Sequence, residues 1–173
     1  MKTNIVLSFF ICVVALTGCK KLGVNFSIAN QTNFRVESSS PINLPFEMGT
    51  PDVTTNSSQQ FGNNNTAANL IKEIKLEELK LSITSPTSKT FSFLKSVEVY
   101  ISTNSSNEIL LASLDNIAST SQSISLTTTT QDLARYVKAS SYKLRTRVIT
   151  KETLTQAVDI RADIKFKVKA GLL

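Results

Sequence analysis

From residue 24 to the end of the chain, apolar and polar side chains alternate in short runs, and this period of two predicts strands that each bury one face. Val24, Phe26 and Ile28 alternate with Asn25, Ser27 and Ala29. Asn30-Gln31-Thr32-Asn33 reads as a turn, and residues 34–37 as the strand returning from it. Residues 49–66 are rich in Thr, Asn, Ser, Gln and Gly and predict a solvated loop, with an edge strand through Val53. One or two helical turns are expected over 67–73. A strand follows over 74–84, in which the apolar positions jump from even to odd at Glu77-Glu78. That jump predicts a β-bulge. Pro86 ends the strand.

Phe91, Phe93 and Leu94 lead into Val97, Val99 and Ile101, with Tyr100 on the opposite face. Asn104-Ser105-Ser106-Asn107 is a predicted turn, 108–114 a strand, and 124–126 a short strand closed by four threonines. Residues 131–138 predict a connecting helix with Asp132 near its start. Two runs close the chain. Leu144 and Val148 alternate with Lys143, Arg145 and Arg147, and the even positions from Val158 to Val168 are apolar between charged neighbours. A hairpin turning through 151–155 would set Val148 beside Val158, Leu144 beside Ala162, Arg147 beside Asp159 and Lys143 beside Asp163. It would also set Arg145 against Arg161, an unfavourable pair. Short strands, polar turns and little helix predict an all-β fold. The expected form is an antiparallel β-sandwich of about seven to nine strands with at most one or two short connecting helices. The cysteine and tryptophan marks of antibody-type domains are absent, so the likeness to an immunoglobulin domain is one of architecture only.

Residues 1–18 differ from the rest. Lys2 precedes a nearly continuous apolar stretch over 5–16. That stretch is too short to span a bilayer, which takes about 20 apolar residues, and it has the layout of an export signal. It ends in Leu16-Thr17-Gly18-Cys19, which resembles the lipobox of bacterial lipoproteins. The resemblance implies cleavage before Cys19, diacylglycerol on its thiol, and a domain over 22–173 held by a tether over 19–21. Cysteine usage agrees: the chain has two cysteines, and Cys12 would leave with the signal, so Cys19 is the sole thiol of the mature protein. The two or three residues between Cys19 and the first strand make a tether of roughly 10 Å, which would keep the domain close to the membrane. Lys20 and Lys21 stand where an Asp would retain some lipoproteins in the inner membrane. The expected address is therefore the outer membrane, facing the periplasm. The last hundred residues also look similar to small envelope lipoproteins of Bacteroidota, on the runs 91–102 (FSFLKSVEVYIS), 132–136 (DLARY) and 164–170 (IKFKVKA). The likeness implies a fold and no activity.

Composition narrows the chemistry. The chain has 173 residues, no histidine and a formal charge of +6. Loss of Lys2 with the signal leaves a mature charge of +5, since residues 1–18 hold no acid. Without histidine the usual nucleophile–base triads and imidazole metal sites are excluded. No phosphate-cradling glycine loop and no calcium-loop pattern occur, so neither a cofactor nor a metal is expected. Ser92–Lys95 and Ser140–Lys143 match the spacing S-x-x-K of penicillin-binding proteins, a motif that needs a helix start, whereas Ser92 heads a strand. An enzyme is therefore not expected. Lys143, Arg145, Arg147, Arg161, Lys165, Lys167 and Lys169 form the candidate binding face, for anionic lipid headgroups, lipopolysaccharide phosphates or an acidic protein. Against that stands a plain solvated sheet face, partly neutralised by Asp159 and Asp163. In residues 49–66 a glycan-binding loop using Phe61 as platform is the lesser alternative to a solvated loop. Nucleic acid is not an expected partner, given the expected compartment and the lack of interleaved aromatics. The expected function is a membrane-anchored, non-catalytic binding or structural module. The alternatives are a carrier of an apolar ligand between two sheets and, less favoured, a Ser/Lys hydrolase.

Overall fold

The computed structural model describes residues 23–173. The expected export signal over 1–18, the expected lipidation site Cys19 and the expected tether over 19–21 lie outside the described residues. The domain is an antiparallel β-sandwich of two sheets, with ten strands and two short α-helices. In chain order the elements are β1 (Gly23–Val36), β2 (Pro45–Gly49), β3 (Val53–Thr54), α1 (Ser57–Asn63), β4 (Ile71–Ser85), β5 (Leu94–Ser102), β6 (Ile109–Leu114), β7 (Ser123–Ser125), β8 (Thr127–Thr128), α2 (Ala134–Val137), β9 (Ser141–Thr150) and β10 (Val158–Gly171). Single 3-10 turns at Ala68–Leu70 and Phe91–Phe93 lead into β4 and β5.

One sheet runs β1-β10-β4-β7 and the other β2-β9-β5-β6-β8, with β3 also on β9. Two strands follow the expected alternation closely. Every even position of β10 from Val158 to Ala170 is buried. In β4, Lys165 faces Glu78 while Phe166 faces Leu76, so Glu77 is the extra residue of a bulge. The bulge rescues the burial pattern: Leu76 and Leu79 both reach the core although they are three residues apart. β4 ends at Ser85, directly before Pro86.

Three expectations need correction. Asn30-Gln31-Thr32-Asn33 is not a turn, because β1 runs unbroken for 14 residues against β10, from Gly23 opposite Gly171 to Val36 opposite Val158. Polar composition misleads there. The even positions still face inward, with Thr32 buried between Ile28 and Phe34, while Gln31 donates from Nε2 to Asp163 Oδ1 at 2.6 Å. The closing hairpin does not form either. β9 lies in one sheet between β2 and β5, and β10 lies in the other between β1 and β4. Alternation says only that a strand has one buried face. It does not say whether its successor lies beside it or opposite it. Here the connection over 151–157 crosses between the sheets and buries Leu154 on the way. The charged residues find other partners in the observed arrangement: Arg147 lies opposite Glu98 and Asp159 opposite Arg35.

The third correction concerns residues 49–66. Alongside the expected edge strand, which is β3, they contain α1, and Phe61 on that helix is 2% exposed. Its ring meets Phe26 edge-on at 6.3 Å between centroids, so it belongs to the core and offers no platform to a sugar. The helix expected over 131–138 is the short α2. Asp132 Oδ1 accepts from the backbone N–H of Ala134 and of Ile74, tying α2 to the start of β4.

The two edges of the sandwich are closed differently. On one side, β7 pairs with β4 and β8 pairs with β6, so a single stretch of chain crosses from sheet to sheet at the buried Leu126. On the other, β1 faces β2 and β3, and Asn30 Nδ2 donates to the Thr54 carbonyl at 3.0 Å. Between the sheets the largest side chains include Tyr136, Tyr142, Phe91, Phe93 and Phe166, all almost wholly buried. Tyr142 meets Phe166 edge-on at 6.1 Å. Its hydroxyl is buried without a hydrogen-bond partner among the described residues. A buried, unpaired hydroxyl costs free energy that a phenyl ring does not. Replacing Tyr142→Phe is accordingly expected to raise stability by about 1 kcal/mol. Urea unfolding of the two proteins measures this, and a loss of stability instead would mean that the hydroxyl is satisfied.

Candidate functional site

Separating β9 from β10 divides the candidate basic residues. Lys143, Arg145 and Arg147 project from the outer face of the β9 sheet, and Arg161, Lys165, Lys167 and Lys169 from the outer face of the β10 sheet. They therefore form two surfaces on opposite sides of the sandwich.

Most of these cations have acidic neighbours. On the β10 face, Lys169 Nζ lies 2.8 Å from Glu73, Lys165 Nζ 3.3 Å from Glu77, and Arg161 Nε 3.1 Å from Asp163. Arg35 from β1 meets Asp159 at 2.7 Å. The carboxyls respond. Glu73 is held below the usual carboxylate range, first by its hydrogen bond from Lys169 and then by Lys75. Glu77 is lowered chiefly by the Ser27 hydroxyl, with Lys165 adding to it. Asp159 is lowered by Arg35. Lys167 alone of the seven has no ion pair among the described residues, and its cross-strand neighbour is Lys75.

The β9 face carries a more connected cluster. Arg145 donates from Nε and Nη2 to the Glu108 carboxylate, at 2.6 Å for the shorter contact, and from Nη1 to Glu47. Its guanidinium carbon sits 4.2 Å from the centre of the Tyr100 ring. Tyr100 in turn donates to Glu98 Oε2 at 3.0 Å, and Glu98 pairs with Arg147 at 3.3 Å. The cluster joins β2, β5, β9 and the residue before β6 across one sheet surface. With two carboxylates and a ring around it, Arg145 has little donor capacity left for an anionic ligand. It works as a clamp on four segments. The sequence signal for it was weak. Tyr100 and Arg145 are each legible as outward-facing, but their contact depends on a β5–β9 pairing between segments more than forty residues apart.

A shallow groove of about 370 Å³ lies beside this cluster, with Met48, Thr50, Ser102 and Lys143 among its walls. Lys143 Nζ is 3.8 Å from Asp52 Oδ1, a loose and exposed contact. The two S-x-x-K matches are not joined into nucleophile–base pairs. Ser92 Oγ donates to Glu152 and accepts from Thr90 Oγ1, and the Ser140 carbonyl accepts from the backbone of Thr55. Glu77 and Glu78 are both exposed at the bulge, and among the described residues no group of three His, Cys, Asp or Glu side chains gathers as for a metal.

No protein-family model and no curated protein matches the chain. Among solved structures it is similar to the BFDV capsid protein of a 60-mer, at 11% identity and a TM-score of 0.45, with 88% of this chain and 95% of that chain covered. It is similar to a desmodium yellow mottle tymovirus chain at 13% identity and a TM-score of 0.31, over 88% of this chain and 90% of that one. For a chain of turnip yellow mosaic virus the identity is 14% and the TM-score 0.26, over 87% and 96%. Likeness at this level transfers no activity.

The clamp has a pH signature. Arg145 holds the Glu108 carboxyl below its ordinary value, and Glu108 in turn raises Arg145. A carboxyl with a lowered folded value stabilises the fold above its unfolded value, and the gain fades as pH falls through the folded one. In Arg145→Met, Glu108 is expected to titrate in the ordinary carboxylate range by NMR. The stability lost relative to the parent is expected to shrink in acid. An unchanged Glu108 titration would show that the pair does not hold in solution.

Proposed function

We propose that this protein is a lipid-anchored envelope lipoprotein whose β-sandwich serves as a non-catalytic binding or structural module. The observation that carries the reading is the tetrad Leu16-Thr17-Gly18-Cys19 placed directly after the apolar run over 5–16. Only a thiol accepts the lipid, and small residues before it admit the peptidase. The solitary mature cysteine then has a role, since no disulfide is available to it. Acylation with two or more chains supplies firm anchorage, because each buried methylene is worth about 0.8 kcal/mol and one chain alone is marginal.

Support for a module without catalysis comes from the ionisable groups. Several of them pair across strand boundaries, as Arg145 with Glu108, Arg147 with Glu98 and Lys169 with Glu73, and of the S-x-x-K residues Ser92 donates to Glu152 while Lys143 lies by Asp52. The proposed partner is an envelope protein or an anionic glycolipid, met on one of the two charged faces. The proposed address is the outer membrane on its periplasmic side.

The test is Cys19→Ser in cells that process lipoproteins. The parent is expected to fractionate with membranes and to carry acyl mass on its first mature residue by mass spectrometry. The variant is expected to lose both. A variant that still sediments with membranes, from a parent without acyl mass, would overturn the proposal.

A further inference from the structure

We infer that the end of the sandwich where the chain enters β1 seats against the bilayer, with Leu172, Leu173 and Leu70 reaching the acyl-chain boundary and Lys72 the headgroups. This rests on the lipid-anchor reading and extends it from a tether to an oriented contact.

Gly23 pairs with Gly171, so the point where the chain enters the domain and the point where β10 finishes are neighbours in one ladder. From Cys19 to Gly23 there are four Cα steps, a reach of about 14 Å at full extension. A lipid on Cys19 therefore brings this end within one short tether of the membrane surface. The opposite end is far away: β4 has 15 residues, which at about 3.3 Å each make a strand of roughly 50 Å.

What this end displays suits a lipid surface. Leu172 is 41% exposed and Leu173 83%, and with Leu70 and Ile71 they border a groove of about 550 Å³. The leucines are held in place. Leu173 donates its backbone N–H to the Asn65 carbonyl at 3.0 Å, and Thr66 Oγ1 donates to the Gly171 carbonyl at 2.6 Å. Lys72 stands at the rim, exposed and without an ion pair among the described residues. Lys20 and Lys21 lie in the tether sequence itself. Exposed leucines on a hydrogen-bonded backbone, with Lys72 at their rim, suit a leaflet with anionic headgroups, where the leucines leave water and the lysine meets a phosphate.

The experiment uses the full mature lipoprotein, acylated and reconstituted in vesicles of phosphatidylethanolamine and phosphatidylglycerol that carry nitroxide lipids. Leu172→Cys and Leu44→Cys are each labelled with an environment-sensitive fluorophore. Leu44 is also exposed, at 61%, but precedes β2 at the far end. The label at 172 is expected to shift to the blue and lose most of its emission to the nitroxides, while the label at 44 keeps the emission it has in water. If the protein is acylated and both labels stay wet, the seated end is wrong and the anchor stands. Blue shift at 172 without nitroxide quenching would mean that protein covers the leucines, and would equally overturn the inference. Absence of acyl mass from the parent would remove the anchor and the inference with it.

Discussion

Fourteen residues at the start of the domain lie antiparallel to fourteen at its end, in a register without a slip from Gly23–Gly171 to Val36–Val158. Everything else is arranged around that ladder. Because β1 takes one side of β10 and β4 the other, the last strand is an interior strand of its sheet, and its even side chains meet the facing sheet. A shift of one residue would turn Ile160, Ile164, Phe166 and Val168 into water and bring Arg161, Lys165 and Lys167 into the core. The ladder also fixes where the chain enters the domain, at the same end as Leu172 and Leu173. Under the proposed lipid anchor, orientation on a membrane would follow from strand pairing.

Pairing also determines the charge surface. Cations and carboxylates on neighbouring strands are brought opposite each other by register, as Arg35 with Asp159, Lys169 with Glu73, and Arg147 with Glu98. Exposed pairs of this kind contribute little stability one by one. Charge alone does not select the pairing: a β9–β10 hairpin would set Arg147 beside Asp159 and Lys143 beside Asp163 as well as Arg145 against Arg161, and the observed register sets Lys167 against Lys75. Among the observed pairs the Arg145 clamp is the strongest, joining β2, β9, β5 and Glu108 through a forked ion pair over an aromatic face.

Where burial alone determines structure, the sequence was legible. The faces of β10, β5 and β9, the bulge at Glu77 and the stop at Pro86 all follow from local periodicity. Where structure depends on a distant partner, it was not. Asn30 through Asn33 have turn composition, yet the ladder to β10 supplies backbone partners that keep them extended, and Asn30 and Thr32 preserve the inward parity. α1 has no side-chain cap and no amphipathic run long enough to announce itself. Phe61 packing on Phe26 secures it. The basic residues were legible as outward-facing on each strand, but their division between two surfaces required the sheet assignment. No local signal carries that information.

The β1–β10 ladder is therefore the claim on which the account stands, and cross-strand NMR contacts test it most directly. A continuous series of backbone proton contacts is expected between β1 and β10, running through Ala29–Lys165 and Asn33–Arg161, and none between β9 and β10. Contacts joining Arg147 to Asp159 and Lys143 to Asp163, with β1 unpaired to β10, would contradict it.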